Sequence, residues 1–229
     1  MGNTIGPFRT SESQMLATKL LNYFKGDIYF RDEDSIAECK ALGVSCHETV
    51  LPDMALYEAY KHQTEDAIVV VPFLSDILTY SSSLIANVKE LSTKQHLPVK
   101  LIVTQLWQWP IMMMTSLYFR FKEEGVDVFI VIPKDVNDLQ QHLANAKMVI
   151  SQNLHGLIMA YRAGTPVYSL QDKRKFKGFM NLIGKGSNMS ALSQLGENSI
   201  VDAMSSKQQY QEQHFAQPIA QAFEGFQIE

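Results

Sequence analysis

The sequence lacks the features that mark membrane, secreted and metal-binding proteins. It contains only two cysteines, Cys39 and Cys46, and they form no C-x-x-C pair, so no zinc site is predicted. No apolar run approaches the ~20 residues that a membrane-spanning helix requires. The N-terminal residues M-G-N-T-I-G-P-F contain no apolar signal-peptide core, and Gly6 stands where a myristoylation signal needs serine or threonine. We therefore expect a cytoplasmic protein with reduced cysteines and no transmembrane segment.

The sequence also lacks a large excess of charge of one sign and a glycine-rich phosphate loop. Its formal net charge is -4, which argues against a nucleic-acid-binding surface. Gly184 and Gly186 alone are a weak match to a phosphate loop. Any anion-binding site must therefore be local. Hydrophobic residues make up 46% of the 229 residues, which is enough for a packed core.

Strand and helix patterns alternate regularly from Ala67 to Gly186. This alternation predicts βαβ units with right-handed crossovers. The expected fold class is therefore α/β, with a Rossmann-like parallel sheet and flanking helices. The predicted strands are residues 68–71, 100–104, 127–132, 148–150 and 167–170, and the predicted helices between them include residues 76–94, 112–124 and 135–146.

The two ends of the chain have less regular patterns. Apolar residues at helical spacing predict a helix over residues 11–25, with Ser11 or Ser13 as its N-cap. Val44–Val50 predicts a short strand. Residues 208–223 are rich in glutamine and carry an aromatic or aliphatic residue about every fourth position, which predicts a final amphipathic helix.

Polar residues follow two neighbouring predicted strands. Ser151 and Asn153 lie in the turn after one strand, His155 begins the next helix, and Lys175 belongs to a basic cluster after the following strand. Because strands of a parallel sheet end at the same edge, where α/β folds bind ligands, these residues could meet over an anion. Free N–H groups at a helix N-terminus would add to such a site. The alternative for His155 is a purely structural histidine that bonds only to backbone groups. The alternative for the basic cluster is a charged surface that contacts only solvent.

Two residues nearer the N-terminus are further candidates. Arg31 follows an apolar run and is flanked by Asp32 and Asp34, so it forms either a surface ion pair or a guanidinium site for phosphate or carboxylate. Asp53, in the tripeptide Leu-Pro-Asp, either forms a turn or contacts a sugar or a helix end.

Three patterns, in this order along residues 4–185, resemble the polysaccharide pyruvyl transferases. The first is short, the second combines three elements, and the third combines eight spaced positions and is the most specific. They are Ile5-Gly6-Pro7-Phe8; Arg31-Asp32-x-x-Ser35 with Leu42-Gly43-Val44 and Pro52-Asp53; and Ser151-x-x-Leu154-His155-Gly156 with Ala160, Gly164, Pro166 and Lys175.

The resemblance implies a fold similar to GT-B glycosyltransferases, with two Rossmann-like halves. It implies an enzyme of exopolysaccharide biosynthesis that moves the enolpyruvyl group of phosphoenolpyruvate onto two hydroxyls of a sugar. The product is a pyruvate ketal, and phosphate leaves. Phosphoenolpyruvate is the donor substrate, a glycan or lipid-linked sugar is the acceptor, and no cofactor is expected.

The resemblance also implies roles for the candidate residues. Arg31 and Lys175 would bind the anionic donor, and His155 would contact its phosphate or act as general acid. Asp53, Ser151 and Asn153 are the other expected substrate-binding residues. Asn153 stands where the family has an arginine, so a neutral amide replaces a bidentate cation.

The same resemblance suggests how the chain is divided. About a hundred residues precede the first pattern in the family, so residues 1–64 are interpreted as the C-terminal part of a truncated N-terminal α/β domain. Residues 65–186 would form the Rossmann-like domain, and residues 187–229 a helical tail. A sheet edge left exposed would favour a homodimer. The alternative functions are a glycosyltransferase that uses a nucleotide-sugar and an inactive module that binds a glycan or a partner chain.

Overall fold

The computed structural model divides the chain into two compact units. We name Met1–Glu58 with Gln211–Glu229 the terminal unit, and Ala59–Tyr210 the sheet unit. The expected division into residues 1–64, 65–186 and 187–229 stays a prediction, because compact units need not coincide with independent domains. The structure describes residues 5–24, 28–57, 59–60, 64–73, 76–104, 108–204, 210 and 212–224.

The sheet unit is built on five parallel strands in the order β3-β2-β1-β4-β5. Every residue of β1 is fully buried, as expected for a β-branched run in a sheet that is covered on both faces. The expected α/β fold with a parallel sheet is confirmed. The strands are β1 Ala67–Val71, β2 Val99–Ile102, β3 Val128–Val131, β4 Ala146–Ser151 and β5 Val167–Ser169.

Helices connect the strands of the sheet unit and also occupy the terminal unit. Two short 3₁₀ turns, Met54–Leu56 and Leu192–Gln194, accompany them. In chain order the helices are α1 Ser11–Tyr23, α2 Glu33–Ala41, α3 Asp76–Thr79, α4 Ser81–Gln95, α5 Gln108–Glu123, α6 Val136–Ala144, α7 Leu154–Arg162, α8 Arg174–Leu182, α9 Ser199–Met204 and α10 Glu212–Glu224.

The strand order reverses between β1 and β4. The chain runs outward from β1 through β2 to β3, returns to place β4 on the other side of β1, and then adds β5. In open α/β sheets, ligands bind outside the carboxyl ends of the strands at such a reversal. The carboxyl ends of β1 and β4 are aligned, because Val71 is the register partner of Ser151.

One hydrophobic cluster covers a face of the sheet. Alternate strand residues such as Ile68, Leu101 and Ile150 point into it, as the two-residue period of a strand requires. The helices α4, α5 and α9 supply the opposing side chains, which include Leu117 and Phe121 from α5. The helical spacing of these residues explains why α5 packs on the sheet with one face and leaves Phe119 exposed.

The terminal unit corrects two sequence expectations. The N-cap of α1 is Thr10, neither Ser11 nor Ser13. Ser13 is the third helical residue, and its Oγ accepts a hydrogen bond from the backbone N–H of Thr10 in a capping box. The strand expected at Val44–Val50 is wrong. That segment is irregular, and its described backbone bonds, such as His47 N to Ile28 O, are separate and do not form a continuous ladder.

The last helix, α10, forms at Glu212–Glu224, as the amphipathic pattern predicts. Its Ile219 is fully buried and packs with Leu51, and Tyr29 covers this pair. The two ends of the sequence therefore belong to the same compact unit. Among the helices that the structure describes, none is both long and apolar enough to cross a bilayer.

The sheet core predicts a contrast between two phenylalanines of α5. Phe121 is fully buried and Phe119 is 59% exposed. Phe121→Ala should lower the free energy of unfolding by about 3–5 kcal/mol, because it removes a buried ring and leaves a cavity. Phe119→Ala should change it by less than about 0.5 kcal/mol. Urea denaturation followed by circular dichroism measures both, and equal effects would contradict the orientation of α5.

Candidate functional site

The candidate site begins where β4 ends. Ser151 is fully buried, and its hydroxyl folds back on the next turn. Its Oγ accepts a hydrogen bond from the backbone N of Asn153 and donates one to the carbonyl oxygen of the same residue, both at 2.8 Å. Ser151 therefore shapes the turn that leads into α7, and its hydroxyl is already engaged within the protein.

Asn153 is the N-cap of α7. Its Oδ1 accepts hydrogen bonds from the backbone N of His155, at 3.0 Å, and of Gly156, at 3.4 Å. The free backbone donors expected at this helix N-terminus are therefore used by the protein's own side chain. From the sequence we expected these N–H groups to be free for an anion, so that expectation is corrected here. The side-chain NH₂ group of Asn153, which supplies two donors, becomes the polar group that a ligand would meet.

His155 lies in the first turn of α7 and is exposed. The residues that follow it are buried and anchor the helix on the sheet. Gly156 is one of them, and a Cβ at this position would lie only 3.0 Å from Ser151 Oγ. The first turn of α7 thus packs closely against the end of β4, and the imidazole points outward from a fixed backbone.

Gln152 is a site residue that the sequence analysis missed. It is 2% exposed, and its Oε1 accepts a hydrogen bond from the backbone N of Phe73, at 3.0 Å, while its Nε2 donates to Asp76 Oδ1, at 2.9 Å. Its own backbone N donates to Val71 O. Gln152 therefore connects the turn after β4 with the segment after β1. The sequence gives no signal of this, because both partners lie more than seventy residues away.

The turn after β5 repeats the turn after β4. Ser169 is the register partner of Ser151, and its hydroxyl also bonds to the residue two positions later, Gln171. The two turns thus leave neighbouring strands side by side, as the sequence predicts. The basic cluster follows the second turn, with Lys173 as the N-cap of α8 and without a side-chain capping bond.

Lys175 lies in the first turn of α8 and is exposed. Its Nζ lies 5.4 Å from the centroid of the Phe176 ring, a cation–π contact. Lys177 lies 3.9 Å from Asp172. Lys175 thus offers a positive charge at a helix N-terminus, where an anion is electrostatically favoured.

Arg31 and Asp53 belong to the terminal unit and form an ion pair there. Arg31 NH1 lies 3.4 Å from Asp53 Oδ2, and the two side chains are 24% and 20% exposed. Asp53 Oδ1 also accepts a hydrogen bond from the backbone N of Ala55. Asp53 thus pairs with the Arg31 guanidinium, and Asp32 caps α2.

Ser35 connects two of the sequence patterns. It is fully buried, its Oγ donates to Asp32 Oδ1 at 2.8 Å, and it accepts from the backbone N of Ile5 at 3.0 Å. The segment that begins at Ile5 has a cis peptide bond between Gly6 and Pro7. The first two patterns of the terminal unit are therefore joined by direct hydrogen bonds.

No group of three or more His, Cys, Asp or Glu side chains comes together as a metal site in the part of the chain that the structure describes. The polar side chains that follow β4 and β5 include the Asn153 amide, the His155 imidazole and lysine ammonium groups. These groups suit an anionic or hydroxylated ligand.

Comparisons with known proteins give one family. A family model described as polysaccharide pyruvyl transferase matches residues 1–172. No curated protein matches the chain.

Several solved structures have a fold similar to that of this chain. UDP-GlcNAc 2-epimerase from Methanocaldococcus jannaschii, in complex with UDP-GlcNAc and UDP, has a TM-score of 0.60 at 9% identity and covers 87% of this chain and 61% of its own. Accessory secretory protein 1, 2 and 3 of Streptococcus pneumoniae has a TM-score of 0.59 at 16% identity, with coverages of 92% and 45%. A putative UDP-N-acetylglucosamine 2-epimerase from Listeria monocytogenes has a TM-score of 0.58 at 14% identity, with coverages of 97% and 65%.

At these identities the likeness shows the fold alone. It confirms the expected GT-B-like architecture. The chain spans about half to two thirds of the length of these structures. The family match covers well over half of the chain and includes Ser151, Asn153 and His155. The chain belongs to the polysaccharide pyruvyl transferase family.

Proposed function

We propose that this chain transfers the enolpyruvyl group of phosphoenolpyruvate to a sugar of a polysaccharide precursor. The observation that supports this most directly is the junction of β4 and α7, where a family-matched sequence places Asn153 and His155 beside the strand-order reversal. Parallel sheets bind their ligands at that edge.

The donor requires a site for an anion that carries both phosphate and carboxylate. Lys175, at the start of α8, supplies a positive charge, and Asn153 supplies side-chain amide donors. Because Asn153 caps α7, the backbone N–H groups of His155 and Gly156 contribute less to the ligand than an uncapped helix would. Anion binding in this unit therefore relies on side chains. For Arg31 and Asp53, the substrate-binding roles are proposed on the family resemblance, with the ion pair fixing the guanidinium.

The reaction requires one proton donor and an activated hydroxyl. A proton is added to the methylene carbon of the donor, and a sugar hydroxyl attacks the adjacent carbon. A second hydroxyl of the same sugar then displaces phosphate, which gives the cyclic ketal. His155 is exposed at a fixed helix start and is the residue that we assign to proton transfer or to the leaving phosphate.

A nucleotide-sugar-dependent glycosyltransferase is the second candidate. It is favoured by the similarity in fold to an epimerase solved with UDP-GlcNAc and UDP. The basic residues at the start of α8 would then hold a diphosphate. An inactive glycan-binding module is the alternative that is not an enzyme, and the neutral Asn153 favours it.

Phosphate release tests these functions directly. The full chain is incubated with phosphoenolpyruvate and a panel of glycans, and thermal shifts are measured with phosphoenolpyruvate, UDP and each glycan alone. Glycan-dependent phosphate release supports the pyruvyl transferase. A shift with UDP and none with phosphoenolpyruvate would replace it with the second candidate. A shift with a glycan alone and no turnover would identify a binding module.

Replacing His155 separates a chemical role from a structural one. His155→Ala should lower kcat by about 10²–10⁴-fold, because it removes a group positioned for proton transfer. The melting temperature should remain within a degree or so of the parent, since the side chain is exposed. His142→Ala on α6 is the control and should leave kcat unchanged. A loss of several degrees in melting temperature would mean that His155 acts structurally.

Two substitutions at Asn153 should move affinity in opposite directions. Asn153→Arg adds a cation and should tighten phosphoenolpyruvate binding, but it removes the cap of α7 at a cost of about 1 kcal/mol in stability. Asn153→Asp keeps the cap and should weaken binding by adding negative charge. Calorimetric titration gives the dissociation constants and urea denaturation the stabilities. If Asn153→Arg does not tighten binding, the site has another ligand.

A further inference from the structure

The only two cysteines of the chain lie next to each other in the terminal unit. Cys39 is in the last turn of α2 and is fully buried, whereas Cys46 follows α2 and is half-buried. Both pack in the same hydrophobic cluster, and the Cys46 side chain is close enough to raise the pKa of Cys39 through hydrogen bonding and charge.

The chain reversal after α2 creates this proximity. Gly43, at φ +70°, turns the backbone in the left-handed region that glycine tolerates best. The backbone N of Val44 then donates to Cys39 O at 3.2 Å, and Cys39 Sγ lies 3.6 Å from Val44 O. The backbone reversal therefore brings the segment that carries Cys46 back against the end of α2.

The two thiols have unequal chemistry. Burial, followed by the hydrogen bond and the negative charge of Cys46, raises the pKa of Cys39 to about 12, so Cys39 remains a thiol at neutral pH. Cys46 is the one that solvent reaches. The ammonium of Lys40 interacts electrostatically with Cys46 and forms an ion pair of 2.6 Å with Glu48. An oxidant therefore meets Cys46 first.

We propose that Cys39 and Cys46 are a thiol–disulfide modification site that a low-molecular-weight disulfide, such as oxidised glutathione, closes into an intrachain bond. The sulfur of Cys46 attacks one sulfur of the oxidant and forms a mixed disulfide, and one glutathione leaves. The sulfur of Cys39 then attacks Cys46 and displaces the second glutathione. Both thiol protons and two electrons pass to glutathione, so the two cysteines are oxidised and the reagent is reduced.

The new bond would fasten α2 to the segment that follows it. That segment already bonds to Ile28 and Phe30 through His47 N and Leu51 N, and it continues to Asp53. The bond would also shorten the loop that the unfolded chain can sample. The oxidised protein should therefore melt at a higher temperature than the reduced one.

Mass spectrometry of the full chain tests the proposal. The parent is treated with oxidised glutathione at pH 8 and quenched with acid. Its mass should then be lower by two hydrogen atoms, and neither cysteine should react with a thiol-alkylating reagent. Dithiothreitol should restore the original mass and both free thiols. Cys39→Ser should stop at a stable glutathione adduct on Cys46. Cys46→Ser should react at least tenfold more slowly, because Cys39 is buried. The closing step should accelerate as pH rises toward 9, since it requires the Cys39 thiolate.

Thermal denaturation supplies the second readout. The oxidised parent should melt several degrees higher than the reduced parent, and Cys39→Ser/Cys46→Ser should not respond to the oxidant. A parent that retains the glutathione adduct, or that links into dimers instead of closing, would overturn the proposal. So would equal reaction rates for the two single variants, or a lower melting temperature after oxidation.

Discussion

The pairing of β1 with β4 is the constraint on which the sheet unit depends. β1 is fully buried at the centre of the sheet, and it has hydrogen-bonded neighbours on both sides. The alignment of Val71 with Ser151 brings two strand ends together although eighty residues separate them. The Gln152 bridge follows from that alignment, and the turn into α7 begins at the aligned Ser151. Topology thus explains why the candidate residues lie at this edge.

The family patterns have structural roles as well as chemical ones. Ser35 joins Asp32 to Ile5, and Asp53 holds Arg31, so the patterns of the terminal unit form one set of contacts. In the sheet unit, Ser151 shapes the turn and approaches Gly156 so closely that a larger side chain there would crowd its hydroxyl. A sequence match of this kind reports a fold that can support the chemistry. The proposed chemistry would depend on exposed groups, which include His155 and Lys175.

Much of the fold could be predicted because burial leaves a local record in the sequence. The strands occur within about two residues of their predicted ends, and α7 ends at Arg162, shortly before Gly164, which has a left-handed backbone. Tertiary partners leave no such record. The segment Val44–Val50 is predicted as a strand, yet it folds back on α2, and Val44, Cys46 and Val50 contribute to a small core. The capping role of Asn153 was missed for a related reason: an asparagine two residues before a histidine is compatible with either a cap or a ligand contact, and only the backbone geometry decides.

Gln152 has a consequence for binding entropy. Its side chain bonds to Phe73 and Asp76, which follow β1, and holds both residues against the turn after β4. The conformational entropy lost in holding these two residues is part of the free energy of folding. A ligand that bound at this edge would not have to offset that part of the cost.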